Sequence, residues 1–502
     1  MVSNEMSRRR EENGEFVFGK DGIGYYPPDA LTPYKGNART HDDAQIEVLK
    51  ASINTFGFVN PALIDKDGVI VAGHGRVEAA RQLGLELIPV LCIEGLSQDE
   101  LKAYRLADNK IAEKAGWDSE ILAIELQHLE QVELDFSLEV TGFTNVEIDE
   151  AIFTTQDEEN VDAADIPPAV EDVAVSRSGD MWLMGKHRLL CGSALDAANF
   201  DRLMGEDKAQ LVCQDPPWNI AVSSISGSGK TKHRPFQMAN GEMSDAEFRD
   251  FIEGQLACNM GHAKPGAVIQ SFIDWRGVEK VIAAGTELGL KLINVLVWAK
   301  GHGTFGSPWR SAHELIVCFL IPGGKIKDRV QMGKHGRMRS NVLEVPGMGS
   351  FGKGRAEALA AHPTSKPIVL VSELIRDVTD RGDIVLDSFM GSGSALLGCE
   401  RSGRVARGME LDPLYVDVIV KRWQNFTGEE AVLAGDGRSF EAIAEERLLT
   451  GEQASNSTDP LVSNEAGTTQ ECADHGSGRI RRRARLKPSH NCAAHDGASD
   501  VG

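Results

Sequence analysis

Two stretches of the chain alternate apolar runs with polar or glycine-rich turns. In residues 31–95, apolar side chains at helical spacing precede two short strand-like runs, a glycine turn and another apolar run. In the later stretch, the runs 211–213 and 405–409 predict buried strands, and a glycine-rich turn leads from a third run into a helix. The pattern predicts a small α+β domain followed by an α/β domain of Rossmann-like type.

The segments between and beyond these stretches divide the chain further. Residues 156–168 are acidic and end in two prolines, which is typical of a linker, so we expect few contacts across it and independent folding from about Val175 onward. Past about residue 450 the apolar periodicity fades, which predicts a largely disordered tail. The predicted segments are a small domain at 23–95, a helical extension at 96–150, a linker at 151–175, the α/β domain at 176–440 and the tail at 441–502.

Composition narrows the functional classes. The chain has 502 residues, of which 41% are hydrophobic, and this is enough for two or three domains with cores of their own. No apolar run approaches about 18 residues and no signal peptide is visible, so we expect a cytoplasmic protein without a membrane anchor. The eight scattered cysteines predict no metal site. A net charge of −22 argues against a nonspecific DNA coat, although local basic segments matter more than the sum.

The tetrapeptide Asp215-Pro216-Pro217-Trp218 lies at the predicted tip of the strand 211–213. Two consecutive prolines have no N–H to donate, so the segment offers carbonyl and carboxylate acceptors beside an indole ring. Such a site suits the exocyclic amine of a planar base, because the acceptors take its N–H groups while the ring stacks on its face. Taken alone, the same four residues are about equally well explained as a structural turn.

A second motif indicates a nucleotide-type ligand. Its predicted strand, glycine turn and helix start allow a ligand to approach the backbone closely and leave free N–H groups at the helix N-terminus. The strand 405–409 ends in Glu410, about 20 residues beyond the glycines, which is where an acidic residue reaches ribose hydroxyls in dinucleotide folds. The candidate ligand-binding residues of the turn are Asp387, Phe389, Gly391, Ser392 and Gly393.

With both motifs in this order, residues 176–430 resemble the β-class DNA amino-methyltransferases. In that class a D-P-P-aromatic motif precedes an F-x-G-x-G motif along the chain. The segment 179–192 is similar to the family's opening hairpin, and His362-Pro363-Thr364-Ser365-Lys366-Pro367 is similar to its H-P-T-x-K-P motif. One departure is Ser388, which stands where relatives usually have proline.

The resemblance implies site-specific methylation of adenine N6 in double-stranded DNA, with S-adenosyl-L-methionine (AdoMet) as cofactor and a base that is flipped out of the helix. It implies that Asp215 and Pro216 accept the amine hydrogens and that Trp218 stacks on the base. Glu410 would hold the ribose hydroxyls, and Lys366 would lie near the cofactor carboxylate. Cytosine N4 methylation, RNA adenine methylation and a non-catalytic ParB-like DNA-binding factor stay open as alternatives.

Basic segments between the two motifs are the expected DNA contacts. By resemblance, target recognition falls within residues 300–362, and glycines around the basic residues suit loops that lie on phosphates. For the segment that contains Lys230, Lys232 and Arg234, the alternative is a solvated loop without a DNA contact. The predicted contacts are Lys230, Lys232, Arg234, Arg310, Lys334, Arg337 and Arg339.

The N-terminal unit resembles the ParB/sulfiredoxin-like domain. The turn that contains Gly73, Gly75 and Arg76 opens a predicted helix, and in that family the corresponding G-x-x-R turn contacts nucleotide phosphates. No cysteine stands in this turn, so sulfur chemistry is not expected. Pairing of Arg76 with a neighbouring acid is an equal alternative to a bound nucleotide. A homodimer is a further expectation, although no sequence motif indicates the oligomeric state.

Overall fold

A computed structural model describes residues 22–132, 134–154, 166–220, 241–301, 309–332, 339–347 and 365–456. Its N-terminal domain is built on a four-stranded sheet in the order β1, β4, β2, β3. Tyr26, Ile64 and Val90 belong to the apolar core of this domain. The elements are β1 (Ile23–Tyr26), α1 (Asp43–Phe56), β2 (Ala62–Ile64), β3 (Ile70–Ala72), α2 (His74–Gln82) and β4 (Ile88–Cys92).

Three helices follow the first domain. Each of the first two begins at a residue whose side chain accepts backbone N–H groups of the first turn: Ser97 in a reciprocal pair with Glu100, and Asp118. A 3₁₀ turn at Leu138–Thr141 separates the last two helices. The helices are α3 (Gln98–Ala112), α4 (Ser119–Gln131) and α5 (Asn145–Thr154).

A ten-stranded sheet dominates the described part of the C-terminal domain. Its order is β11, β9, β10, β8, β7, β12, β13, β6, β5, β14, and the central strands β8, β7, β12, β13 and β6 are parallel to one another. The strands are β5 (Met181–Met184), β6 (His187–Cys191), β7 (Ala209–Gln214), β8 (Ala263–Ile273), β9 (Lys291–Ala299), β10 (His313–Leu320), β11 (Val342–Glu344), β12 (Ile384–Asp387), β13 (Val405–Glu410) and β14 (Val432–Leu433).

Apolar clusters cover both faces of this sheet. Leu211 and Val385 belong to one cluster, whereas their chain neighbours Val212 and Leu386 belong to the other, as expected from the alternation of side chains along a strand. The flanking helices are α6 (Ala197–Met204), α7 (Asp245–Gly261), α8 (Val278–Glu287), α9 (Ile368–Arg376), α10 (Ser394–Arg401), α11 (Pro413–Thr427) and α12 (Phe440–Asn456). The predicted fold class, an α/β domain after a small α+β domain, is confirmed.

The parallel arrangement of β7, β12 and β13 brings their carboxyl ends to one edge of the sheet. Leu386 on β12 pairs with Val212 on β7, and Asp387 pairs with Gly408 on β13. Ligands of open α/β sheets bind outside this edge. The two predicted motifs therefore meet, although about 170 residues separate them in the chain.

The expectation of few contacts across the linker is wrong. Asp149 of α5 is buried, and its carboxylate accepts hydrogen bonds from both terminal nitrogens of Arg404, at 2.9 and 2.8 Å. A chain that begins near Val175 would lack this carboxylate, so Arg404 would lose its two hydrogen bonds to Asp149. The helical extension is thus packed against the C-terminal domain.

Within the described ranges, no helix combines the length and the apolar character needed to cross a membrane.

Candidate active site

Asp215, Pro216, Pro217 and Trp218 form the turn that follows β7, as predicted. Asp215 Oδ1 and Trp218 Nε1 are buried and have no hydrogen-bond partner among the described residues. An acceptor and a donor that are left unpaired in this way are costly unless a ligand completes them. The turn therefore offers polar atoms to a bound molecule.

Asn219 fixes the end of this turn and was not predicted from the sequence. Its backbone has a φ of 54°, a left-handed conformation that asparagine tolerates better than most residues. Its side-chain amide donates to the carbonyl of Met243 at 2.7 Å and accepts from the N–H groups of Gly241 and Met243. These hydrogen bonds connect the residue that follows Trp218 to the segment that begins at Gly241.

The second oxygen of Asp215 is occupied by a lysine. The ammonium group of Lys366, which is buried, forms an ion pair with Asp215 Oδ2. The same ammonium lies 5.4 Å from the centre of the Trp218 ring and 5.1 Å from that of Phe272. The resemblance placed Lys366 near the cofactor carboxylate. Among the described residues, the ammonium group of Lys366 forms ion pairs with Asp215 and Glu314.

Glu314 extends the ion pair into a row of alternating charges. It lies near the start of β10, and its carboxylate is 3.3 Å from Lys366 Nζ and also pairs with Lys300. Sequence reasoning missed Glu314, since no motif surrounds it and the contact depends on the pairing of β10 with β8. A buried acid in an otherwise apolar strand was the one available signal.

Asp215, Lys366 and Glu314 shift one another's pKa values. Burial raises the pKa of Asp215 above its ordinary range, and the neighbouring Lys366 opposes that rise. Burial alone would lower the pKa of Lys366, yet Asp215 and Glu314 together hold it above its ordinary value. Burial would likewise raise the pKa of Glu314, but Lys366 and Lys300 bring it below its ordinary value. Lys366 is consequently a cation that opposes the protonation of two buried carboxyl groups.

The predicted glycine turn lies between β12 and α10. Gly391 and Gly393 have φ values of 56° and 90°, which favour glycine, and Gly393 is the residue before the first turn of α10. A Cβ at Gly393 would lie 3.1 Å from Ile419, so the turn is also sterically tight. Phe389 is partly buried and packs against Phe251 at 5.8 Å between ring centres.

Two carboxylates flank this turn. Asp387, at the end of β12, accepts from the N–H of Phe389 at 2.9 Å. Glu410, at the end of β13, accepts from the N–H groups of Gly391 at 2.8 Å and Asp412 at 2.9 Å. Burial raises the pKa of Asp387 to about 8 and that of Glu410 to about 7. Buried carboxyls of this kind fit a ligand that brings hydroxyl groups and an ammonium group, as AdoMet does.

Serine side chains tie the glycine turn to the lysine segment. Ser392 Oγ lies 2.9 Å from Ser365 Oγ, and Ser394 Oγ donates to the carbonyl of Lys366 at 2.8 Å. The hydroxyl of Ser388 donates to the buried amide oxygen of Gln214 at 2.9 Å. Hydrogen bonds therefore connect the glycine turn to the Lys366 segment and to Gln214, the residue before Asp215.

The basic residues predicted to contact DNA differ in their exposure and in their ion pairs. Arg310 is exposed, and its neighbour Trp309 is 85% exposed. Arg339 pairs with Glu373 and with Asp377, the latter at 3.2 Å, so part of its charge is balanced within the domain. The other predicted contacts, Lys230, Lys232, Arg234, Lys334 and Arg337, lie outside the described residues.

In the N-terminal domain, Gly73 has a φ of 94° and directly precedes α2, as the predicted turn requires. A Cβ at Gly75 would lie 3.0 Å from Leu49, which explains the need for a small residue there. Arg76 Nε is buried and has no hydrogen-bond partner in the described part of the chain. The pairing of Arg76 with an acid, which was the alternative, is limited to a longer-range attraction to Asp108.

The fold and the site together define an AdoMet-dependent methyltransferase, in which the cofactor turn and the catalytic turn share one edge of a parallel sheet. A family model described as DNA methylase matches residues 209–421. Models of the ParB N-terminal domain and of the ParB-methyltransferase HTH domain match residues 18–110 and 120–178. The chain therefore carries an N6/N4 DNA methylase domain that follows a ParB-like N-terminal domain. AdoMet is accordingly its cofactor and DNA its substrate.

Individual relatives match the two parts separately. The ParB-like nuclease domain-containing protein YnaK of Escherichia coli K12 is 47% identical over 78 residues, which are 16% of this chain and 90% of that protein. The type II methyltransferase M.HpaI of Haemophilus parainfluenzae is 23% identical over 260 residues, 49% of this chain and 77% of that enzyme. The crystallised PvuII cytosine-N4-specific DNA methyltransferase is 20% identical, with a TM-score of 0.36 over 52% of this chain and 92% of that one.

The two raised carboxyl pKa values predict how stability depends on pH without added cofactor. A buried acid whose pKa is raised holds its proton in the folded state, so its contribution is fully present below the ordinary pKa near 4 and is lost as the pH rises through about 7 to 8. We expect the urea midpoint to fall between about pH 6 and about pH 8.5, and to fall less in Asp387→Asn. Asp250→Asn, which removes an exposed carboxylate, is the matched control. An equal fall of the urea midpoint in the unsubstituted protein, Asp387→Asn and Asp250→Asn would contradict a raised pKa of Asp387.

Proposed function

We propose that this DNA methyltransferase transfers its methyl group to N6 of adenine, at specific sites, after the base has been flipped out of the duplex. The observation that carries the proposal is the unpaired, buried Oδ1 of Asp215, which lies beside the unpaired indole of Trp218. A planar base with an exocyclic amine satisfies this turn, since the carboxylate accepts one N–H group and the ring stacks on the base. The cost of unstacking the base, about a few kcal/mol, is offset by these contacts.

The residues of the turn prepare the amine for reaction. Asp215 Oδ1 accepts one amine hydrogen and the Pro216 carbonyl accepts the other, which draws the nitrogen toward tetrahedral geometry and frees its lone pair. AdoMet, when bound, supplies an electrophilic methyl group on its sulfonium. As positive charge develops on the amine, the ionised carboxylate of Asp215 stabilises it. Lys366 holds that carboxylate in place through its other oxygen.

The cofactor is assigned to the neighbouring turn. By analogy with the F-x-G-x-G motif, Glu410 would accept hydrogen bonds from the ribose hydroxyls, and Asp387 would reach the methionine end of AdoMet. Phe389, Gly391, Ser392 and Gly393 line the same space. The raised pKa values of the two carboxyls, about 7 and about 8, support this assignment, because both groups gain from donors that a ligand brings.

Adenine is preferred to cytosine because the motif begins with aspartate, which in the β-class accompanies adenine, whereas serine accompanies cytosine N4. Cytosine N4 in DNA and adenine in RNA are the competing substrates. A non-catalytic ParB-like factor is disfavoured by the complete catalytic turn and its buried counter-ion.

Methylation-aware sequencing of a methylation-deficient host tests the proposal. Expression of the full chain should produce N6-methyladenine at one sequence motif, and Asp215→Ala should reduce it by orders of magnitude while AdoMet binding is retained, because the cofactor turn lies on other strands. Asp250→Ala, an exposed carboxylate on α7, is the control and should methylate normally. N4-methylcytosine, methylation confined to RNA, or normal activity of Asp215→Ala would overturn the proposal.

We further propose that the turn at Gly73 and Arg76 binds a nucleotide phosphate. Arg76 Nε and Arg105 Nη1 are buried without hydrogen-bond partners among the described residues, which leaves two guanidinium donors for an anion. The positive surroundings agree, since burial together with His41 and Arg105 lowers the pKa of His74 to about 4.

A calorimetric titration of the full chain with nucleoside triphosphates tests this second site. We expect binding that Arg76→Ala weakens by at least tenfold, whereas Arg81→Ala, at the other end of α2, leaves it unchanged. Absence of binding, or equal binding by both variants, would contradict the assignment.

A further inference from the structure

The region matched as a helix-turn-helix domain has the wrong charge for reading DNA. From Ala115 to Ser176 the chain contains no lysine or arginine, and its acidic residues include Glu120, Glu130 and Asp149. DNA binding draws most of its affinity from cations that neutralise phosphates. A segment without cations gains nothing from counterion release and is repelled by the duplex.

The side chains of the later helix in this region are buried or only partly exposed. A recognition helix must offer exposed side chains to the major groove. Along α5, none of the described positions 145–153 is exposed, and Ile148, Asp149 and Ile152 are buried. This helix is therefore committed to contacts within the protein.

The partner of α5 is an arginine-rich surface of the C-terminal domain. Asp149 accepts two hydrogen bonds from Arg404, and Arg381 Nη2 lies 3.1 Å from the same carboxylate. Arg381 also pairs with Glu130 of α4. Arg404 is itself buried, so this carboxylate supplies the negative charge that the guanidinium group requires.

A second contact reaches the last turn of α9. Arg376 donates to Glu150 at 3.0 Å, and its guanidinium lies 4.1 Å from the centre of the Phe153 ring. Lys366 stands two residues before the start of α9. At 1.5 Å per residue, the nine residues of this helix span about 14 Å between this contact and the end near Lys366.

The opposite side of the region contacts the N-terminal domain. Phe136, which precedes the 3₁₀ turn, packs edge to face on Phe56 at the end of α1, with 5.4 Å between ring centres. The region therefore touches both domains.

We propose that residues 119–154 form an intramolecular adapter, which holds the ParB-like domain on the methyltransferase domain through acid–arginine contacts and does not bind DNA. Its binding surface on the methyltransferase domain comprises Arg376, Arg381 and Arg404. The acidic side chains of these helices are attracted to the arginines of this surface, whereas they are repelled by a phosphate backbone.

A cleavable full chain tests the docking. A protease site replaces part of the sequence 157–163, and the cut protein is passed over a sizing column at physiological salt. The two fragments should co-elute in the otherwise unchanged protein, and Asp149→Asn or Glu150→Gln should make them separate. Glu125→Gln, an exposed acid of α4, is the matched control and should co-elute.

Separation of the unsubstituted fragments, or co-elution with both substitutions present, would overturn the adapter. Because Asp149→Asn removes a buried charge, each uncut variant is first checked for AdoMet binding, and Glu150→Gln provides the result if Asp149→Asn does not fold. The outcome of this test is independent of the proposed function, because docking does not depend on which base is methylated. AdoMet binding shows in each case that the variant is folded.

Hydrogen exchange tests the second half of the proposal. The intact chain is compared with and without sheared DNA from a methylation-deficient host, which contains every target site. Amides of 145–153 should exchange at the same rate in both samples, while the segment around Asp215 becomes protected. Protection of α5 by DNA would show that it reads the duplex and would overturn the adapter assignment.

Discussion

The buried ion pair between Lys366 and Asp215 is the contact on which the active site depends. A carboxylate at the end of a buried strand loses its hydration, and without a counter-ion it would take up a proton and become a poor acceptor for an amine. Lys366 opposes this proton uptake, and Glu314 gives the buried ammonium group a second negative partner. One oxygen of Asp215 is thus used inside the protein, and the other is left for the substrate.

The same lysine explains how distant parts of the chain are connected. Its backbone carbonyl accepts a hydrogen bond from Ser394, at the start of α10, so the segment of Lys366 is tied to the glycine turn. Its helix, α9, ends at Arg376, where the acidic helix α5 docks. A rigid helix of about 14 Å therefore joins the methyl-transfer site to the segment that carries the ParB-like domain.

The sequence predicted what is local and missed what depends on tertiary contacts. The turn at Asp215 and the acid at Glu410 were found because each ends a recognisable apolar run, and a parallel sheet must bring such ends together. Glu314 has no local motif, and the docking of Asp149 on Arg404 joins residues 255 positions apart. The ion pair of Arg339 with Asp377 was likewise not foreseen, because charge along the chain does not reveal the carboxylates that fold opposite it.

The most direct test is the pH dependence of single-turnover methyl transfer, compared between the unsubstituted enzyme and Lys366→Gln. Burial raises the pKa of Asp215 and Lys366 opposes that rise, so loss of the ammonium group should raise the pKa further. The account predicts that the acidic limb of the rate profile moves to higher pH in Lys366→Gln, with AdoMet affinity little changed. An acidic limb at the same pH in both enzymes would show that Lys366 does not keep Asp215 ionised.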